Sequence, residues 1–232
     1  MTAVKNYVED LLHLLFPHNC AGCGTEVLNP KDLLCAHCLI TLPTTSFFSN
    51  PGNPVEKIFY GRLPLQQAGS AFYFNKDSLL QHLIIQLKYK GNRNAGIYLG
   101  RLLGKALSEA GRFDDVDLII PLPLNEKKLF TRGYNQASVL AKGITEAWNK
   151  PVAEDAVERL LFTETQTHKD RISRWQTMEG VFTATHISAL INKHILLVDD
   201  VITTGATLEA CGSAISQVPG IKLSIATLAY TI

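Results

Sequence analysis

The chain has 232 residues, enough for one large domain or a domain plus a small module, and 46% hydrophobic residues can furnish a core. A 19% charged fraction and a formal net charge of +1 exclude a disordered polyelectrolyte and give no global case for a nucleic-acid or membrane-surface binder. No stretch nears the roughly 20 apolar residues that span a bilayer, and Glu9 and Asp10 interrupt any signal-peptide layout.

Residues 4–16 place Val4, Val8, Leu11, Leu12 and Leu15 on one helical stripe, which Pro17 ends. This helix reads as a docking element. Next come two CxxC pairs, Cys20 with Cys23 and Cys35 with Cys38. Four thiolates so spaced can close a tetrahedron around a structural Zn²⁺ and fold a piece too small for its own core. Gly22 and Gly24 allow the first knuckle to turn tightly, and His18 and His37 are spare ligands. Cysteine usage of this kind, with four of the five residues paired, indicates a reducing, cytoplasmic setting and not secreted disulfides. Residues 1–48 thus form an N-terminal helix and a four-cysteine zinc module. They hold only two of the 22 basic residues, Lys5 and Lys31, so the rest of the chain is mildly basic. Residues 43–67, rich in Pro, Gly and Asn, read as a linker or irregular hood, with the boundary set at 49–67.

From Ala68 an α/β pattern runs to residue 232. Residues 68–74 read as a strand, and 78–87 as an amphipathic helix that delivers a basic loop, Lys88, Tyr89, Lys90 and Arg93. A second helix stops at Gly111. A strand over 117–121 empties into residues 124–136, where Lys127, Lys128 and Arg132 either grip a pyrophosphate or stand in solvent. A helix over 135–148 and a short strand over 157–163 follow. Residues 164–174 read as a mobile lid or an exposed hairpin tip, with Gln166, Lys169 and Arg174 able to fold over a phosphorylated ligand. A returning strand covers 180–184.

Residues 195–198 form an apolar run that reads as a buried parallel strand ending on Asp199 and Asp200. Thr203, Thr204, Gly205, Ala206 and Thr207 then open a helix. Backbone N–H groups in so small a loop, with the positive end of a helix dipole behind them, can hold a phosphate. The two carboxylates can accept hydrogen bonds from adjacent ribose hydroxyls. An ordinary β-loop-α turn is the plainer alternative. The last strand covers 222–230, and Cys211 on the preceding helix reads as packing.

The run LLVDDVITTGAT resembles the motif by which type I phosphoribosyltransferases bind 5-phosphoribosyl 1-pyrophosphate (PRPP). Together with QLKYKGN, PLPLNEKKLFTRGYNQA, ETQTHKDRISRW and the double CxxC module, it resembles the ComF family, phosphoribosyltransferase-like proteins linked to natural competence and DNA uptake. The resemblance implies a type I phosphoribosyltransferase-like parallel sheet flanked by helices over 68–232. It also implies that Asp199 and Asp200 face the ribose 2′- and 3′-hydroxyls, 203–207 hold the 5-phosphate, 124–136 form the pyrophosphate loop, and 163–175 form the lid. Mg²⁺ would accompany PRPP, with Arg132 steadying the leaving pyrophosphate. No general base is identifiable. Only Thr231 and Ile232 follow the last strand, so the acceptor falls to residues 43–67, the zinc module or a partner. Three functions fit: a phosphoribosyltransferase of nucleotide metabolism with an open acceptor, a competence factor that binds single-stranded DNA or DNA-uptake proteins, and a PRPP sensor without catalysis. For DNA, Lys88, Tyr89, Lys90 and Arg93 would join Lys127, Lys128 and Arg132 in a basic groove with an aromatic platform.

Overall fold

A computed structural model describes residues 18–27, 32–160 and 181–231. Its centre is a four-stranded parallel sheet in the order β1-β6-β5-β2, formed by β1 (Ala68–Phe74), β2 (Leu118–Pro121), β5 (His194–Ile202) and β6 (Lys222–Thr231). The strands are apolar on both sides because both faces are covered. Leu196 and Val198 of β5 enter one buried cluster with helices α3 (Leu79–Tyr89), α4 (Arg93–Glu109) and α6 (Gln136–Trp148). Ile195 and Leu197 enter the other, with α8 (Ala206–Ser216). A parallel sheet flanked by helices, with an N-terminal cysteine cluster, is the fold class expected from the sequence.

Capping residues fix the helix starts. Ser78, Asn92 and Asn135 each turn a side-chain oxygen to a first-turn N–H of α3, α4 and α6. Helices α4 and α6 meet backbone to backbone. A Cβ at Gly143 would lie 2.8 Å from Gly100 Cα and 2.9 Å from the Arg101 nitrogen. We expect Gly143→Ala to push the helices apart and destabilise the fold by about 2–3 kcal/mol. A fall in the urea midpoint at unchanged slope reports it; an unmoved midpoint would refute the close approach.

Several boundaries differ from the expected ones. Residues 124–136 are not a plain loop: Glu126–Arg132 is helix α5, capped by Asn125 and ended by Gly133 at φ +75°. Lys88 and Tyr89 lie in the last turn of α3, not in a loop. Residues 43–67 contain helix α2 (Pro54–Ile58), and Thr44 bridges antiparallel to Phe72 of β1. Asn53 organises this stretch by donating to the carbonyls of Phe47, Asn50 and Ala68 while capping α2. Cys35 caps helix α1 (Ala36–Ile40) and Cys38 lies within it; Cys38, with Cys20, Leu34 and Leu42, belongs to the same buried cluster as α3 and α4. Strands β3 (Val157–Arg159) and β4 (Phe182–Ala184) pair antiparallel as a separate ribbon, and the short helix α7 (Ile187–Leu190) leads into β5. The N-terminal helix over 4–16 and Gln166, Lys169 and Arg174 lie outside the described residues.

Candidate functional site

Strand β5 does not end on its acids; it runs through them to Ile202. Strand β2 stops at Pro121, opposite Val198, so residues 199–202 pair only with β6 and leave a crevice at the carboxyl end of the sheet. Because side chains alternate along a strand, Asp199 follows Ile195 and Leu197 toward α8, and Asp200 follows Leu196 and Val198 toward α3. The two acids are therefore adjacent but differently partnered. Asp200 is buried and pairs with Lys88 Nζ at 2.9 Å. Asp199 accepts the Asp200 N–H at 2.8 Å. Burial, then the charge of Asp200, pushes Asp199 up to about 7, against the pull of Lys88 and Lys128.

That shift fixes a pH dependence. Below about pH 4 Asp199 is protonated folded and unfolded, so it contributes nothing. From there to about pH 7 only the unfolded chain ionises, and stability is lost as pH rises. Asp199→Asn keeps the acceptor for Asp200 N–H and removes the cost. Thermal unfolding should show no advantage of the variant near pH 4 and one on the order of 2–4 kcal/mol above pH 7; an advantage independent of pH would contradict this environment for Asp199.

The last turn of α3 ties the acids to the α5–α6 connection through three consecutive residues. The Leu87 carbonyl accepts from the Tyr134 hydroxyl, Lys88 holds Asp200, and Tyr89 lies under the Arg132 guanidinium, 5.3 Å from ring centre to Cζ. Arg132 also donates to Gln136 Oε1 at 2.6 Å. Arg93 stacks on Tyr134 at 4.7 Å and donates to the Gly133 carbonyl at 3.2 Å. Arg132, about 40 residues away in sequence, thus joins Tyr89, the neighbour of the Lys88 that holds Asp200, and Arg93 joins the adjoining Gly133–Tyr134 turn. Lys128 is near enough to act on Asp199, while Lys90 and Lys127 stand exposed. Tyr134, which knits the cluster, and Phe130, 93% exposed on α5, were not singled out from the sequence, because neither breaks the pattern of a polar loop.

Thr203, Thr204 and Thr207 are exposed at the mouth of the loop. Gly205 is buried at φ +74° and no side chain caps α8, so the first N–H groups of that helix remain available to an anion. A Cβ at Gly205 would come within 2.8 Å of Ile58 and 3.0 Å of the Phe59 ring. The stretch read as a linker or hood therefore packs against the 203–207 loop. Its Arg62 donates to the Thr204 carbonyl and pairs with Glu209, contacts invisible in sequence because 142 residues separate Arg62 from Thr204. A cavity of about 750 Å³ opens beyond Arg93 and Tyr134, toward Val139 and Arg159; the acid pair and the phosphate loop are not among its walls.

The four cysteine sulfurs lie within 4.8 Å of one another. Cys23 and Cys35 Sγ are 3.6 Å apart, close to the ~3.8 Å edge of a tetrahedron with ~2.3 Å metal–sulfur bonds. The N–H groups of Gly22 and Cys35 point at Cys20 Sγ and that of Cys38 at Cys35 Sγ, which favours thiolates. Hydrogen bonding with Thr25 brings Cys23 down to about 6, whereas burial pushes Cys38 up to about 12. A Cβ at Gly22 would sit 2.9 Å from Cys38 Sγ. The cluster can hold a metal such as Zn²⁺.

No model of a known protein family matches the chain. It is 27% identical to Competence protein F of Haemophilus influenzae over 84% of this chain and 89% of that protein. It is 29% identical to DNA utilization protein YhgH of Escherichia coli K12 over 56% of this chain and 57% of that one. Among solved structures, a glutamine PRPP amidotransferase from B. subtilis aligns at TM-score 0.42 and 17% identity, over 61% of this chain and 30% of that one. No helix among the described residues is long and apolar enough to cross a membrane.

Proposed function

We propose, for a chain that is a member of the ComF family of competence proteins, that the carboxyl end of β5 is a ribose-phosphate grip serving the handling of incoming DNA in the cytoplasm. The observation that supports this reading is the Lys88–Asp200 ion pair at 2.9 Å at the end of β5, just before a loop whose Gly205 takes φ +74° and whose helix start has no side-chain cap.

PRPP fits the chemistry of that crevice. Asp199 and Asp200 accept hydrogen bonds from the vicinal ribose hydroxyls, the N–H groups at the start of α8 receive the 5-phosphate, and Lys88 and Arg132 face the pyrophosphate. Mg²⁺ bound together with PRPP would supply charge neutralisation for the leaving pyrophosphate. If transfer occurs, the acids oppose the positive charge that develops at C1, Arg132 steadies the departing pyrophosphate, and the acceptor attacks from the side left open by β2. Asp200 must exchange Lys88 for a ribose hydroxyl, which leaves that lysine free for pyrophosphate.

A second reading, single-stranded DNA binding, is favoured by exposed Tyr89 and Phe130 beside Lys90, Arg93, Lys127 and Lys128. Aromatic faces stack bases and cations track the backbone. The relatives' names, competence and DNA utilization, support it. Pyrophosphate release from PRPP, followed across an acceptor panel that includes DNA, tests the enzyme: release with one acceptor class establishes transfer, and binding without release leaves a sensor. Single-strand affinity should fall with a log–log salt slope of roughly −2 to −4 if three to six phosphates are neutralised; a flat response counts against DNA.

A further inference from the structure

We infer that Arg62 is a positioning residue for the phosphate loop, aiming the Gly205 N–H at a phosphomonoester dianion; the inference rests on the ribose-phosphate reading. Arg62 Nη1 donates to two carbonyls at once, Ile58 and Thr204, each at 3.0 Å, while Nη2 pairs with Glu209. The ion pair alone matters little, since both side chains are about a third exposed. The carbonyl contacts matter more. The Thr204 carbonyl and the Gly205 N–H belong to one planar trans peptide and point in opposite directions. Holding the carbonyl toward Arg62 turns the N–H the other way, away from the guanidinium and from the residue 58–62 segment.

The anchor is itself fixed. Ile58 and Phe59 fill the space beside Gly205, and a Cβ at Gly212 of α8 would lie 2.6 Å from Leu63. Arg112 pairs with Glu56 at 2.8 Å behind α2. Glu209 lies in the first turn of α8, where its carboxylate would repel an incoming phosphate. Arg62 counters that charge from the side. One guanidinium therefore sets the peptide and neutralises the competing acid, and the pre-set loop loses less order when the phosphate binds.

The test uses the zinc-loaded full chain and ribose 5-phosphate as probe. Arg62→Ala should weaken binding about tenfold or more, the scale of losing a charge-assisted hydrogen bond. Arg62→Lys, able to reach one carbonyl but not both, should fall between. The Gly205 amide resonance should move in the ligand-free Arg62→Ala protein and lose its ligand-induced shift, with the melting temperature and metal content close to wild type. Arg62→Ala combined with Glu209→Gln separates the two roles. If the double variant binds like wild type, Arg62 works only by neutralising Glu209 and positioning is overturned. Unchanged affinity and an unmoved Gly205 amide in Arg62→Ala overturn it as well. Should Arg62→Ala misfold, Arg62→Lys carries the same readouts. A wild-type protein that fails to bind ribose 5-phosphate overturns the underlying reading, and the positioning role with it.

Discussion

Asp200→Ala should lower PRPP affinity by at least about a hundredfold, the loss expected when a charged acceptor of about 1.5–3 kcal/mol per hydrogen bond disappears from a buried place. Asp200 is buried at 8% exposure and Lys88, its ion-pair partner among the described residues, is 21% exposed, so water replaces neither fully. Removing the carboxylate would take away the proposed ribose acceptor and leave Lys88 without its counter-charge. Asp200→Asn, which keeps the shape, should lose most of the same affinity. Lys88→Met gives the opposite signature: it frees Asp200 but removes a cation from the pyrophosphate side. Ribose 5-phosphate should then bind as well as before or better, while PRPP weakens about tenfold. Equal losses of both ligands would place Lys88 outside pyrophosphate recognition. Titration calorimetry of each variant with both ligands makes these comparisons.

The second large effect belongs to the cysteines. We expect about one zinc per chain after metal-replete purification, since four thiolates are the donor set of a closed tetrahedral site. Chelation, or Cys38→Ser, should lower the melting temperature by about 10 °C or more, as each kcal/mol is worth roughly 2–4 °C in a chain of this size. The effect is large because the cluster is not an appendage. Cys20 and Cys38 are buried with Val27, Leu34 and Leu42 in the cluster that also contains Leu80, Leu83 and Phe72, so loss of the metal uncovers α3 and β1. Cys211→Ser is the control. Its thiol is buried in the other cluster and should leave the zinc content unchanged. Less than one zinc per chain, together with no destabilisation on chelation, would remove the metal from the account.

Local chemistry made much of this legible. An apolar run covered on both faces, a Gly205 that must take positive φ, and CxxC spacing each announce themselves over a few residues. The helix α5 carried its own signals, Asn125 before Glu126 and Gly133 after Arg132, but they were submerged in a stretch rich in charge. Reading residues 43–67 as an irregular hood missed what Asn53 does, because a buried cap that also bonds the carbonyls of Phe47, Asn50 and Ala68 looks like any loop asparagine. The different fates of Asp199 and Asp200 follow from strand alternation, which becomes visible once β5 is known to continue to Ile202. The pairing of Lys88 with Asp200, of Arg132 with Tyr89 and of Arg62 with Thr204 is tertiary, and neither periodicity nor motif spacing encodes it.

If the carboxyl end of β5 grips a ribose phosphate, calorimetric titration of PRPP with Mg²⁺ into zinc-loaded protein should show saturable binding at one site per chain, lost in Asp200→Ala and retained in Cys211→Ser. Absence of binding by the folded, zinc-loaded protein, or binding that Asp200→Ala leaves intact, would contradict it.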